Sequence, residues 1–428
     1  MTVAILFGVF ILCFLIGVPI AISLGVSALA AIWFGTDLPI SLIAQKAFTS
    51  LDSFPLLAIP FFILAGVLMG KGGISKRLLD LATALVGWMT GGLSLVTIVA
   101  CMFFAAIAGS GPATVAAIGG FMIPAMIARN YDQGFASAVP ATAGSMGVII
   151  PPSIPLVLYG AIGNVSVGAL FMAGILPGML VGIAIMLTAY FISKAKGYKP
   201  SEDKRTFDFK DVLKALNEAK WALLIPVIIL GGIYGGIFTP TEAAVTAVVY
   251  ALIVGIFIYK ELDFKAIYDG FMETIMINAT TMIIISFSVS FSFFMTLEQI
   301  PNSIATYLTN MSSNPVAILF IVILFLLVVG MFIDTISALV VLTPILLPVV
   351  TAVGVDPIHF GIILVVALAI GFVTPPLGVN LFVASSVGKV SIEKTTVAVI
   401  PFIIVMVLCL ILIAFIPQLS MWMAGFTQ

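Results

Sequence analysis

Apolar residues run in long uninterrupted blocks along this chain, without the alternation of a half-buried strand or the one-sided stripe of a soluble helix. Blocks at residues 3–34, 53–70, 93–108, 135–150 and 165–192 lead to a polar, basic stretch at 194–220, and a second series of blocks fills 221–428. About 20 apolar residues span a bilayer, and shorter runs that meet at a small-residue turn read as pieces that enter and leave on one side. The pattern predicts an all-α polytopic membrane protein with about 10–12 transmembrane helices plus two re-entrant helical hairpins. The block at 3–34 exceeds one span, which predicts a single crossing, tilted or kinked at Pro19. Residues 41–52 set Leu42, Ile43, Ala47, Phe48 and Leu51 against Gln45, Lys46 and Ser50, the pattern of an amphipathic arm along the interface.

Two blocks are interrupted where a helix cannot continue. In Gly371-Phe-Val-Thr-Pro-Pro-Leu-Gly-Val-Asn380 each proline removes a backbone donor and crowds the preceding turn, and Thr374 is pushed out of the helical region. Gly144-Ser-Met-Gly-Val-Ile-Ile-Pro-Pro-Ser-Ile-Pro155 does the same in the first half. Irregular backbone at membrane depth must find polar partners away from lipid, so both breaks predict a cavity or a bound solute.

The breaks belong to a repeat. A shift of 224 residues, without a gap, places Pro124 on Pro348, Pro151 and Pro152 on Pro375 and Pro376, and Pro177 on Pro401, with Gly147 on Gly371. It also carries Gly109-Ser-Gly-Pro-Ala-Thr114 onto Ile333-Asp-Thr-Ile-Ser-Ala338. The chain divides accordingly into a first repeat, 1–193 (arm 41–52, hairpin about 104–128, broken helix 135–164), a cytoplasmic basic loop, 194–220, and a second repeat, 221–428 (arm 263–276, hairpin about 328–351, broken helix 358–388). Five crossings before the basic loop invert the second repeat against the first. Eight of the 17 basic residues lie between Lys194 and Lys220. By the positive-inside rule that loop is cytoplasmic, joined by Lys46, Arg129, Lys389 and Lys394, while Lys71, Lys76, Arg77, Lys260 and Lys265 are expected outside with both termini.

If each hairpin tip meets the break of its own half, backbone carbonyls, hydroxyls and half-helix ends converge near the midplane, an arrangement that suits a hard cation. The candidate cation ligands are Gly109, Ser110, Thr114, Gly144, Gly147 and Pro151 in the first half, and Asp334, Thr335, Ser337, Gly371, Thr374, Pro375 and Asn380 in the second. Ser145 and Ser153 supply further hydroxyls, and a solute would sit at Ser110, Ser153, Ser337 and Asn380. Asp334 has two readings, cation ligand or N-cap of the helix that starts at Thr335. Glu242, in Thr239-Pro-Thr-Glu242, reads as part of a helix start, and His359, the only histidine, as a loop or interface residue.

Composition narrows the classes. Of 428 residues 62% are hydrophobic and 8% charged, with a net charge of -1. A soluble domain does not have this balance. The first apolar block has no basic residue ahead of it, unlike a cleaved leader. Cys13, Cys101 and Cys409 sit far apart inside apolar blocks and read as small hydrophobes. There is no phosphate-cradling G-x-x-x-x-G-K-[ST] and no H-E-x-x-H, and a serine nucleophile would have only His359 for a base, so the chain is read as a transporter and not an enzyme. A channel is disfavoured because no ring of like charge marks a filter.

Ala58-Ile-Pro-Phe-Phe-Ile-Leu-Ala-Gly66, Phe103-Ala-Ala-Ile-Ala-Gly-Ser-Gly-Pro-Ala-Thr-Val115, Ile149-Ile-Pro-Pro-Ser-Ile154, Leu170-Phe-Met-Ala-Gly174, Gly236-Ile-Phe-Thr-Pro-Thr-Glu-Ala-Ala244 and Pro375-Pro-Leu-Gly-Val-Asn-Leu-Phe-Val-Ala-Ser385 follow one another along nearly the whole chain. In these blocks it resembles the large membrane subunit of the tripartite ATP-independent periplasmic (TRAP) transporters. The resemblance implies an elevator-type transporter of the bacterial inner membrane, with a scaffold domain and a moving transport domain that carries the two hairpins. It implies uptake coupled to two or more sodium ions (Na+) bound at the hairpin tips and breaks named above. The implied partners are a small four-helix membrane subunit, a periplasmic substrate-binding protein, a small-molecule carboxylate substrate and membrane lipid, with no nucleic acid. Some dicarboxylate-type relatives carry polar or acidic residues before the second break, where this chain has Ala367-Leu-Ala369, which leaves sialic acid or another sugar acid beside a C4-dicarboxylate as substrate. A stand-alone ion-coupled anion transporter of the same architecture is the alternative.

Overall fold

The structure, a computed structural model, describes residues 2–201, 206–311 and 314–425. Within these the chain is helical throughout, and nine helices are long and apolar enough to cross a membrane.

The first repeat opens with α1 (Thr2–Leu15) and α2 (Ile20–Gly35). The expected single tilted crossing is corrected here: Gly17 takes a positive φ, Pro19 precedes the second helix, and the chain folds back until Thr2 Oγ1 donates to the Gly35 carbonyl at 2.9 Å. A short arm, α3 (Ser41–Thr49), leads through a 3-10 turn at Phe54–Leu57 into α4 (Ala58–Lys71). Then come α5 (Ile74–Val86), the hairpin α6 (Gly92–Ala108) and α7 (Gly111–Ala128), the broken pair α8 (Gln133–Gly144) and α9 (Ile154–Gly163), and α10 (Val167–Ala195).

The second repeat follows the same order: α11 (Phe209–Tyr234), α12 (Pro240–Ile253, extended by a π-turn Val254–Ile258), α13 (Phe264–Leu297), α14 (Ile300–Met311), the hairpin α15 (Pro315–Phe332) and α16 (Thr335–Ala352), the broken pair α17 (Pro357–Gly371) and α18 (Val379–Gly388), then α19 (Ile392–Phe415) and α20 (Gln418–Ala424). Shifted by 224, α7 coincides with α16 residue for residue, and α6, α8 and α9 start within one residue of α15, α17 and α18.

Two segments differ from expectation. The stretch 194–220 is not all loop, because Asp208 caps α11 and Ala215 and Ala219 pack against Leu81 and Ala84 of α5. The second arm, 263–276, is not a separate element. It is the opening of α13, a continuous helix of 34 residues, whereas the first repeat breaks at the matching place. Pro55 stands in that break and Ala279 in α13, and only proline stops a helix from running through. In both hairpins the outgoing leg begins earlier than expected, at Gly92 and at Pro315.

The side-by-side pair α4 and α13 shows the inversion directly. Lys71 at the end of α4 pairs with Glu273 near the start of α13 at 3.2 Å. Leu56, beside the start of α4, shares a cavity wall with Ile285, Val289 and Phe293 of α13. Residues 54–71 and 278–295 are repeat mates, and they run antiparallel. α12 runs parallel to α4: Thr241 Oγ1 donates to the Phe54 carbonyl at 3.0 Å, and Leu262 meets Gly72 at the other end.

These contacts also correct the expected sides. Arg77 pairs with Glu261 at 2.8 Å and stacks over Tyr259, whose hydroxyl donates to the Glu218 carbonyl. Lys71, Lys76, Arg77, Lys260 and Lys265 therefore share the end at which the basic stretch 194–220 lies. Lys46 lies at the opposite end, over the Phe293 ring. The reason is twofold: α5 and α6 leave and re-enter at one end without crossing, and α11 and α12 form an antiparallel pair that crosses twice, since the Tyr250 hydroxyl donates to the Trp221 carbonyl and that of Tyr259 to Glu218.

Helix pairs in lipid associate by close packing at small residues. At Gly371 a Cβ would strike the Gly330 backbone, so the broken helix and the outgoing leg of its own hairpin approach nearer than any side chain allows.

Candidate ion and solute site

Each hairpin tip does meet the break of its own half. In the first half α8 ends at Gly144, a 3-10 turn covers Ser145–Val148, and Ser153 caps α9 by accepting from Leu156 N at 3.4 Å while donating to the Val148 carbonyl. Gly109, at φ +61, turns the tip, and its carbonyl accepts from Ile154 N at 3.4 Å. A Cβ at Gly147 would lie 2.5 Å from the Ser110 carbonyl oxygen and 2.8 Å from Thr114 Oγ1, so the tip rests on the unwound turn. Thr114 Oγ1 itself donates to the Ser110 carbonyl at 2.8 Å.

In the second half Leu377 N donates to the Met331 carbonyl at 3.2 Å and Asn380 N to the Phe372 carbonyl at 3.0 Å. Thr374 Oγ1 donates to the Ile370 carbonyl at 2.7 Å, while the Gly371 and Phe372 carbonyls, whose helical donors the prolines remove, accept from Thr374 N and Asn380 N. Both peptide bonds Pro151–Pro152 and Pro375–Pro376 are cis. Asp334 caps α16, with one carboxylate oxygen accepting from Ile336 N and Ser337 N at 3.1 Å each. Of its two readings, the cap is the one with partners.

The halves join through Asn380. Its Nδ2 donates to the Ala141 carbonyl at 3.0 Å and to Ser145 Oγ at 3.3 Å, beside the first break. A Cβ at Gly111 would lie 3.2 Å from the Phe372 ring, so the first tip also touches the second break. Asn380 Oδ1, Thr335 Oγ1 and Ser337 Oγ are buried with no hydrogen-bond partner. A buried orphan oxygen is costly without a ligand. Oxygen donors of this kind fit a hard monovalent cation, while no group of three His, Cys, Asp or Glu exists among the described residues to hold a softer metal.

The structure does not gather every expected residue into one place. Ser337 borders a separate apolar cavity of about 430 Å³ walled by Phe7, Phe10, Val322 and Phe325. Pro375 is only half-buried, at the outer edge of the second break. His359 is buried, with its ring nitrogens 2.6 Å from Ser420 Oγ and 3.2 Å from the Ala414 carbonyl, which gives it a structural role. Glu242 completes a capping box with Thr239.

Sequence reasoning missed a cavity of about 380 Å³ between the first hairpin and the helix pair α4 and α13. Its lining includes Gly66, Lys71, Ser75, Ser110, Glu273 and Thr281. The repeat gave no signal for it, since Lys71 and Glu273 fall on Met295 and Thr49 in the other half.

Residues 7–419 match the family model of the tripartite ATP-independent periplasmic transporter, DctM component. The chain belongs to this family. Among the permease's relatives are the isethionate TRAP transporter permease protein DctMQ of Oleidesulfovibrio alaskensis, 51% identical over 98% of this chain and 66% of that longer protein, and the C4-dicarboxylate TRAP transporter large permease protein DctM of Vibrio cholerae, 42% identical over 99% of this chain and 97% of that one. The sialic acid TRAP transporter large permease protein SiaM of the same organism is 39% identical over 95% and 94% of the two chains. The fold is also that of the Alcanivorax borkumensis YdaH transporter, with a TM-score of 0.62 at 14% identity over 90% of this chain and 88% of that one, and of Neisseria gonorrhoeae MtrF, with 0.61 at 13% over 92% of each. This TRAP large permease is a membrane transport subunit and not an enzyme.

Proposed function

We propose that this permease imports a small organic anion across the bacterial inner membrane, coupled to sodium, by sliding the two hairpins and broken helices along the α4 and α13 scaffold. The observation that carries this reading is an inequality between repeat-related contacts. α4 packs on the outgoing leg of the first hairpin, where a Cβ at Gly66 would lie 3.0 Å from Ala108 Cα, just before the tip. Its mate α13 packs on the return leg α16 of the second hairpin instead. The residues matching Gly66 and Ala108 are Ser290 and Phe332. Ser290 donates to the Ile43 carbonyl of the arm, and Phe332 is 41% exposed. Two equivalent interfaces in unequal registers are what one end state of a sliding transporter presents.

The concentration of basic residues at the Lys71 end supports a cytoplasmic assignment of that end, with 194–220. The first tip packs on α4 at Gly66, within two turns of Lys71, which favours an inward-facing arrangement. Sodium would be held by the oxygens at the tips and breaks, Asn380 Oδ1 foremost, and shifts the population toward the solute-competent arrangement. Ser110, Ser153 and Asn380 would orient the solute's anionic group. The relatives transport isethionate, C4-dicarboxylates or sialic acid by name, and the higher identities to the first two favour a short aliphatic sulfonate or carboxylate over sialic acid. A small membrane subunit and a periplasmic binding protein would complete the transporter. The isethionate relative, whose name DctMQ joins two subunit letters and of which this chain covers 66%, fits a fused small subunit there.

The test is uptake of isethionate and succinate into proteoliposomes that hold the permease, its small subunit and its binding protein. Accumulation should require an inward sodium gradient and the binding protein. Equal uptake without either would overturn the reading.

A further inference from the structure

Between the first hairpin tip and the scaffold, the cavity of about 380 Å³ has apolar walls contributed by Ile63, Phe104, Ala113 and Ile277. Its polar groups are few, Lys71, Ser75, Ser110, Glu273 and Thr281. Lys71 closes α4, and its aliphatic stem passes over Gly270, where a Cβ would lie 3.8 Å from Lys71 Cδ. The stem thus lies in van der Waals range of the Gly270 face, and the amine reaches Glu273 at 3.2 Å. This ion pair is a third to a half exposed, a setting in which such pairs contribute little to stability. Ser75, one turn further along the chain, lines the same cavity. It is 5% exposed, and its Oγ has no hydrogen-bond partner. Ser110, at the hairpin tip, faces the cavity from the other side.

An ammonium held by a weak, partly hydrated pair and an unpartnered buried hydroxyl are complementary to an anionic group with several acceptor oxygens. We propose that Lys71 and Ser75 form a scaffold-borne anion subsite that takes the carboxylate or sulfonate of the solute as it leaves the hairpin, with Glu273 as the competing anion that Lys71 returns to afterwards. The idea rests on the transport reading above and deepens it by naming fixed scaffold residues that touch the solute. Neither partner of the ion pair is duplicated. The matching positions are Met295 and Thr49, so the subsite exists at one end of the scaffold. The exchange lowers the barrier to release at that end, because the anion need not pass from the tip to bulk water through an apolar channel in one step.

The test is titration of the purified full-length permease, in sodium buffer, with isethionate and with succinate. Lys71→Gln is expected to weaken binding of both probes at least tenfold, and Ser75→Ala three- to fivefold. Glu273→Gln should tighten binding several-fold, because it removes the competitor. Tightening cannot come from a folding defect, so this variant keeps the proposal open to refutation even if Lys71→Gln folds badly. Lys46→Gln, at the far end, controls for net charge and should bind as wild type. Wild-type affinity in both Lys71→Gln and Glu273→Gln, or an equal loss in Lys46→Gln, overturns the subsite. If the subsite alone fails, Asn380→Ala still loses its sodium response. If wild type binds neither anion, the subsite and the transport reading fall together.

Discussion

The Asn380 side chain donates to the carbonyl of Ala141 at 3.0 Å, bridging 239 positions of sequence and tying the second break to the helix that precedes the first. Its amide oxygen is left without a partner in a fully buried place. One end of the amide fixes the two halves together and the other is available to a cation. Asn380→Ala therefore removes both functions. Uptake should fall more than tenfold and its sodium dependence should flatten, with a stability loss of about 1–3 kcal/mol from the stranded Ala141 and Ser145 groups. Asn380→Asp should keep the oxygen but lose the donor. Initial uptake rates at graded sodium separate the two, and a wild-type sodium response in Asn380→Ala would remove this residue from the ion site.

Gly147 and Gly371 occupy matching positions where each break touches its hairpin. Alanine at 147 would place a methyl 2.5 Å from the Ser110 carbonyl oxygen, and alanine at 371 would strike the Gly330 backbone. Backbone cannot step aside as a flexible side chain can. Each substitution is expected to cost about 1–3 kcal/mol and to displace the tip. Thermal unfolding in detergent should show a lower midpoint for both. Gly231→Ala, inside α11 where a Cβ has open space, should hold the midpoint or raise it slightly.

Asp334 offers a cleaner separation of roles. As a cap for α16 it can be replaced by asparagine, which accepts the same backbone donors, whereas alanine forfeits about 0.5–2 kcal/mol. Asp334→Asn should retain both stability and sodium response, and Asp334→Ala should lose stability. Loss of the sodium response in Asp334→Asn, with stability intact, would instead make the carboxylate a cation ligand.

Much of this was legible in the sequence because proline and glycine punctuate it. The offset of 224 read from Pro124, Pro151, Pro152 and Pro177 carries through to helix limits, with α7 and α16 matching at both ends. Each expected tip meets the expected break. What escaped was direction. Residues 3–34 contain no polar interruption, so nothing but Gly17 and Pro19 marked the reversal that brings Thr2 to Gly35. The sides of the basic residues escaped for a separate reason: α5 and α6 stay at one end where one crossing was expected, and 221–259 holds two crossings, α11 and α12, which return Lys260 and Lys265 to the near side. The helix over 209–220 was hidden by its charge, although Asp208 before Val212, Ala215 and Ala219 is a cap followed by a helical face. The cavity at Lys71 could not be read from the repeat, since its polar residues break the repeat.

The proposed slide predicts a contact that this structure lacks. When the second hairpin takes up the register the first now has, Phe332 comes against Ser290 as Ala108 lies against Gly66. A Ser290→Cys, Phe332→Cys pair, in a background with Cys13, Cys101 and Cys409 replaced, should cross-link with a short thiol reagent only while the permease cycles with sodium and solute. Cross-linking should arrest uptake, and reduction should restore it. A yield that does not change with sodium or solute would count against a moving hairpin.

The two arms differ as mechanical parts. The first is a short lever on a joint, since α3 and α4 are separate pieces with Ser53, Phe54 and Pro55 between them. The second is a rigid strut about 51 Å long at 1.5 Å per residue, set by the 34 unbroken residues of α13. A strut cannot flex in its middle, so in the proposed slide displacement of the second hairpin would be absorbed at its ends, near Asp263 and Glu298, while the first hairpin's travel would be taken up at the joint. The repeat makes the two halves alike in outline. One proline against one alanine makes them unlike in compliance, so the proposed stroke would be steered from one side and braced from the other.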